Sequence, residues 1–271
     1  MLGYHINMGL EDGRVIAPTT ATQRTLARTV LASGGDYKLM AWRAADTHLH
    51  LSAACSRRRA GSWVRNLSTA LRCRLGLPTR FTPAHFEPIV DQRHLYNVFR
   101  YVLRQDERHG IQLDPFAEAS NIPDLLGMRS LGRYTGATVA QLLPRIRADE
   151  LVARLGLTLP QLLEGPISDG ARQQLSDAAA ATVALPDLRQ RLPESVAARR
   201  AAVAFVGDEL TSQQLGALLD ITARSVRRLR GQPADPRLME AIARQLRLRT
   251  ALAGSTAVPG QGREPKFTPG K

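Results

Sequence analysis

Strand-like alternation in this chain stops before Gly110, and beyond that point no segment reads with a two-residue period. A small sheet domain followed by an all-helical region is therefore expected, an α+β chain. Residues 3–17 read as a strand, a turn at Glu11-Asp12-Gly13 and a return through Val15-Ile16. A helix capped by Thr20 or Thr22 follows, runs through Leu26, Val30 and Leu31, and stops at Gly34-Gly35. Lys38 to Trp42 and His48 to Ala53 read as two short strands joined by Arg43 to Thr47, and Trp63 to Leu75 as a second helix. Leu77 to Pro88, with its three prolines, reads as a loop.

The second of those strands carries chemistry. Side chains alternate faces along a strand, so His48 and His50 share one side while Leu49 and Leu51 point into the core. Two imidazoles about 6–7 Å apart on one strand can share a metal ion if a third ligand comes from elsewhere. From Gln92 to Arg108 the apolar residues Leu95, Val98, Phe99, Val102 and Leu103 recur at helical steps, which places Tyr101 and Gln105 one turn apart on one face. A carboxamide oxygen can complete a metal site, and a phenol one turn away can meet a phosphate. Tyr96 has Arg100 four residues on, not a ligand-type residue. Arg100, Arg104 and Arg108 form a basic stripe beside Tyr101, and Arg57, Arg58 and Arg59 leave the second strand next to the two histidines. Both sets suit a nucleic-acid backbone.

His-hydrophobic-His followed by Tyr-x-x-x-Gln resembles the HUH-type single-tyrosine transposases, and in particular the REP-associated tyrosine transposases. Gly3-Tyr4-His5-Ile6 resembles that family's opening strand, and Val90 to Leu95 with Arg100-Tyr101-Val102 its nucleophile helix. The resemblance spans residues 1–112 and implies a ferredoxin-like domain, a small antiparallel sheet with helices on one face. It also implies Tyr101 as nucleophile and His48, His50 and Gln105 as ligands of Mg²⁺ or Mn²⁺. The expected activity is cleavage of single-stranded DNA at hairpin-type sequences through a 5′-phosphotyrosine link. The chain departs from the family at Thr47, where Asn is usual, and at Gln105-Asp106 and His109-Gly110, where Asn-Pro and Ala-Gly are usual.

Charge agrees with a polyanion partner: the chain of 271 residues carries a formal net charge of +13, most of it from arginine. Arginine grips phosphate in bidentate fashion. At 5% aromatic residues the chain lacks the stacking surface usual for single-stranded RNA. No run of eighteen apolar residues or secretion-type opening is present, and Cys55 and Cys73 imply no disulfide framework. A cytoplasmic, nucleoid-associated protein without membrane contact is expected.

Residues 113–147 read as a connector, 148–252 as a helical DNA-binding region and 253–271 as a disordered tail. Asp149 to Thr158 looks like the first helix and turn of a helix-turn-helix, but Leu159 to Glu164 after it lacks a cation. A better candidate spans 211–230: Thr211 caps a helix through Leu215, Leu218 and Leu219, Asp220-Ile221-Thr222 makes the turn, and Ala223 to Arg230 forms the second helix. Gly216 sits where the helices must approach closely, and Ile221, Val226 and Leu229 supply the buried side. Arg224, Ser225, Arg227 and Arg228 are left outward for bases and phosphates. Residues 148–230 resemble the DNA-binding domain of the replication initiator DnaA. Pro236 to Leu252 adds a basic helix. Single-stranded, hairpin or duplex DNA is the expected partner, of a monomer or a homodimer. The competing expectation is a DNA-binding regulator whose HUH domain has lost catalysis.

Overall fold

Four strands form one antiparallel sheet in the order β2-β3-β1-β4, with β1 (Gly3–Gly9), β2 (Leu39–Ala45), β3 (His48–Ala53) and β4 (His85–Ile89). This computed structural model describes residues 1–105 and 114–255. Helices α1 (Thr20–Gly34) and α2 (Arg57–Leu75) complete the β-α-β-β-α-β order of the ferredoxin-like fold.

Alternation along the strands decides which residues meet which helix. Tyr4, Ile6 and Met8 of β1 and Leu49, Leu51 and Ala53 of β3 pack against Leu26, Val30, Trp63, Leu67 and Leu71 of α1 and α2. The opposite face takes α3 (Gln92–Leu103), whose Leu95, Val98, Phe99 and Val102 pack with Met40, Ala41 and Ile89. So α1 and α2 lie together on one face, as the fold requires, and the helix of Tyr101 lies on the other.

Several local expectations are corrected. Val15-Ile16 is not a returning strand, because β3 and β4 already occupy both edges of β1. Ile16 is instead buried, its N–H donating to the Asp46 carbonyl at 3.1 Å, while Val15 is exposed. β2 extends to Ala45, which pairs with His48, so the hairpin loop shrinks to Asp46-Thr47, with Asp46 left-handed at φ 54°. The proline-rich stretch contains β4, because Pro88 lies on an edge strand where its missing N–H costs no ladder bond. Thr19 caps α1 in a capping box with Thr22. The second helix begins at Arg57, not at Trp63, because the Ser56 side chain caps it there. α3 closes at Leu103; Arg108 and His109-Gly110 lie outside the described residues.

Beyond the sheet come α4 (Ile122–Leu125), α5 (Arg133–Leu142), α6 (Ala148–Ala153), α7 (Leu159–Glu164), α8 (Asp169–Arg172), α9 (Leu175–Thr182), α10 (Pro193–Val206), α11 (Ser212–Leu219), α12 (Ala223–Arg230) and α13 (Pro236–Ser255). The stretch read as a connector is packed: Ala117, Ile122, Met128, Val139 and Leu143 share the core of α3. α13 spans two cores, with Leu248 in that one and Leu238, Ile242 and Leu246 among the helices α9 to α12.

Three of its arginines are consumed internally, while Arg237 in the first turn is exposed. Arg244 donates to the Leu126 carbonyl at 2.8 Å, Arg247 to the Gly165 carbonyl at 3.0 Å, and Arg249 to Asp177. The basic helix is therefore a brace between modules.

Candidate functional site

The α3 face of the sheet is polar where the other face is apolar. His5 and Asn7 alternate with Tyr4, Ile6 and Met8 along β1, and the register sets Asn7 opposite His50 and His5 opposite Ser52 and Glu87. His48 and His50 lie on this face as expected, their ring centroids 6.3 Å apart. His50 is buried and His48 exposed at the sheet margin. The His48 ring lies over Gly9: a Cβ there would come within 3.1 Å of its Cδ2, a contact that would push the exposed ring aside by a few tenths of an ångström.

α3 brings Tyr101 down onto these rings. Asp91 starts the helix by accepting from the His94 N–H at 2.8 Å, and the buried stripe fixes its rotation. The phenol ring stands edge-on to His50 at 5.9 Å and to His5 at 5.4 Å. Tyr96 points elsewhere, its hydroxyl accepting from Arg100 at 3.4 Å.

Gln105 follows α3 directly and is fully buried. Its Nε2 donates to the Tyr101 carbonyl at 3.0 Å, whereas its Oε1 is buried with no hydrogen-bond partner. The Asn7 Oδ1 and Ser52 Oγ atoms of the same face are also buried and unpaired. A buried acceptor without a donor is costly, and such atoms point to a missing ligand or water. Among the described residues, no three His, Cys, Asp or Glu side chains converge on one point. Two imidazoles with an open carboxamide oxygen nonetheless suit a divalent ion that accepts nitrogen and oxygen donors.

The histidines are held by further groups. The Thr47 hydroxyl lies 2.8 Å from His48 Nδ1. His5 Nε2 lies 3.3 Å from His50 Nδ1, and His5 Nδ1 lies 3.3 Å from the Glu87 carboxylate. Burial pushes the His5 pKa below its ordinary value, with the Glu87 carboxylate partly opposing. His94 Nε2 is 3.9 Å from the other Glu87 oxygen. Sequence reasoning missed His5 and Glu87 as site residues. Their signal was the alternation Tyr4-His5-Ile6-Asn7-Met8 and His85-Phe86-Glu87, which carries no register.

The proposed DNA contacts divide. Arg57 stacks 3.5 Å over Phe86, and Arg59 donates to the Asp36 carbonyl at 2.5 Å. With Arg58 they stand at the start of α2, on the far side of the sheet from Tyr101, which corrects the expectation that they adjoin the histidines. The cause is Ser56, which turns the chain into a helix that must bury Trp63 and Leu67 on that side. Arg100 and Arg104 are exposed and line a cleft of about 170 Å³ with Arg154 and Glu150. Arg100 sits 3.8 Å from the Glu150 carboxylate.

In the helical region, α11 and α12 form the expected helix-turn-helix. Thr211 caps α11 in a capping box, and Asp220 ends it in the left-handed conformation at φ 52°. A Cβ on Gly216 would fall 2.7 Å from the Ile221 carbonyl oxygen, so the close approach is real. Val226 and Leu229 are buried. Arg224, Arg227 and Arg228 are exposed. Ser225 is half-buried and shares a 3.0 Å hydrogen bond with the capping Thr222 hydroxyl. Arg230, by contrast, is pinned to the Gly207 and Leu210 carbonyls at 3.0 and 2.5 Å.

Comparisons with protein-family models, with curated proteins and with solved structures find no match to this chain. Among the described residues no helix is long and apolar enough to cross a membrane.

Proposed function

We propose that the chain is a metal-dependent single-stranded DNA endonuclease of the HUH transposase type, with Tyr101 as nucleophile. The observation that carries this reading is the edge-on meeting of the Tyr101 ring with His50 across the sheet face, 51 residues apart in sequence. The resemblance of the flanking motifs supports it, as does the surplus of arginine.

His48, His50 and Gln105 would hold Mg²⁺ or Mn²⁺. When bound, such an ion supplies Lewis-acid polarisation of a phosphate oxygen. Tyr101 makes the bond: its phenolic oxygen attacks phosphorus as the bond from phosphorus to the 3′ oxygen breaks. The phenolic proton is given up and the departing oxygen leaves as a 3′ hydroxyl. One phosphodiester replaces another, so religation requires no nucleoside triphosphate. Exposed Arg100 and Arg104 flank the nucleophile on the same helix and suit the neighbouring phosphates. Arg224, Arg227 and Arg228 present a second cationic surface for duplex or hairpin stem, where Ser225 is partly taken up by its cap.

Incubating the full chain with hairpin-bearing single-stranded DNA and Mn²⁺ tests this. A covalent protein–DNA adduct on a denaturing gel is expected from the parent chain. Tyr101→Phe should give none while binding DNA within about threefold of the parent, since one hydroxyl among many phosphate contacts contributes little to affinity. An adduct that survives the substitution moves the nucleophile to Tyr96. Binding that ignores metal, with no adduct from either protein, favours a DNA-binding regulator.

A further inference from the structure

The polar face holds a chain of contacts that the proposed chemistry does not use: Glu87 on β4 to His5 on β1, and His5 to His50 on β3, each at 3.3 Å. Three adjacent strands thus connect a half-exposed carboxylate to a buried proposed ligand. The direction of the protons follows from chemistry. A carboxylate only accepts, so His5 Nδ1 must carry the hydrogen toward Glu87. With His5 a neutral imidazole carrying one hydrogen, Nε2 then holds a lone pair, and the hydrogen of the second contact has to come from His50 Nδ1. That leaves the lone pair of His50 on Nε2, the nitrogen it would offer to an ion.

We propose that Glu87 and His5 are positioning residues that fix the tautomer and orientation of His50 for metal binding, through the relay Glu87–His5–His50. The inference rests on the metal-site reading above. Metal-bound histidines ordinarily donate their second ring N–H to a carboxylate, a carbonyl or water, and this relay places one more imidazole between ligand and carboxylate. On His48 the Thr47 hydroxyl at 2.8 Å occupies the corresponding position. The stacked His5 and His50 rings, 5.5 Å between centroids and 11° between planes, leave His50 little rotational freedom.

The test uses the full chain and two readouts. In the metal-free protein, histidine ¹⁵N shifts should report His50 protonated on Nδ1. Glu87→Leu, a substitution on a half-exposed edge-strand residue, should turn this into a tautomer mixture. Mn²⁺ titration should then show one ion bound per chain, with affinity weakened about 10- to 100-fold by Glu87→Leu, the range usual for an outer-shell partner. Glu87→Gln keeps an acceptor for His5 and should stay within a few-fold of the parent. His5→Phe, which keeps a ring under Tyr101 but ends the relay, should match Glu87→Leu.

Equal loss in Glu87→Gln and Glu87→Leu, or a second ion that disappears with either, would make Glu87 a ligand and overturn the proposal. Unchanged tautomer and affinity in Glu87→Leu would overturn it while leaving the metal site standing. No Mn²⁺ binding that depends on His48 and His50 would remove the metal site itself, together with the inference built on it.

Discussion

Two polar clusters among the described residues differ in what they are built from. At the junction of sheet domain and helical region, Arg24 of α1 donates to Glu118 at 2.8 Å and to Asp177 of α9 at 2.7 Å, and Asp177 also accepts from Arg249 of α13. Nearby, the fully buried Asp124 and Arg129 pair at 3.1 Å. Each carboxylate there meets a guanidinium. On the α3 face of the sheet the groups are imidazoles, amides and hydroxyls, and three of them keep a buried atom without a partner, Asn7, Ser52 and Gln105. Both keep buried atoms without a hydrogen bond, the first at Asp124 Oδ2 and Arg249 Nε, but the first is built of ion pairs and the second of neutral groups.

The largest expected effect tests the junction. Arg24→Ala strands Glu118, whose side chain is 2% exposed, without its ion-pair partner. Breaking a buried pair by removing one partner costs about 3–5 kcal/mol. An unfolding free energy from urea titration lower by that amount is expected, and a loss under about 1 kcal/mol would mean that the junction is held by its apolar contacts alone.

Asp124 gives the next effect, through pH. Burial lifts its carboxyl to about 6 despite the Arg129 guanidinium, above its ordinary 3.8. The native chain therefore holds a proton that the unfolded chain releases between those values. The resulting stability is fully present below about pH 4 and is lost as pH rises through about 6, at most roughly 3 kcal/mol. Asp124→Asn should flatten the dependence of unfolding free energy on pH over that window. A slope that persists in the variant would assign it to another group, with Glu118, also raised by burial, the first candidate.

The two clusters also differ in how much of them the sequence carried. The site was half legible, because alternation put His48 and His50 on one face and helical spacing put Tyr101 on a helix with an apolar stripe. Their meeting across the sheet agrees with that reading. His5 and Glu87 stayed hidden because register between strands is not a local property, and β4 was masked by Pro88, which excludes a central strand but permits an edge. The junction was not legible at all: nothing in the sequence sets Arg24, Glu118, Asp177 and Arg249 apart from ordinary surface charge, and only the folded chain shows that they meet. Charge counts mislead for the same reason. The arginines of α12 and α13 look alike in sequence, yet Arg224, Arg227 and Arg228 are exposed while Arg244, Arg247 and Arg249 bind carbonyls and carboxylates.

The smallest effect carries the opposite sign and bears most directly on the contrast. Gln105→Leu has nearly the same volume and removes the unpartnered Oε1, a burden of about 1–3 kcal/mol. It also gives up the Nε2 hydrogen bond to the Tyr101 carbonyl, which contributes about 0.5–1.5 kcal/mol. Taken at the middle of each range, the balance is a metal-free protein about 1 kcal/mol more stable than its parent, read as a raised Tm. The same variant should lose Mn²⁺ binding and adduct formation, since no acceptor remains to act as third ligand. A destabilisation of about 2 kcal/mol instead would mean that the carboxamide is a packing element and its lone oxygen already satisfied in solution. In that outcome the ligand set would have to be sought elsewhere on the face.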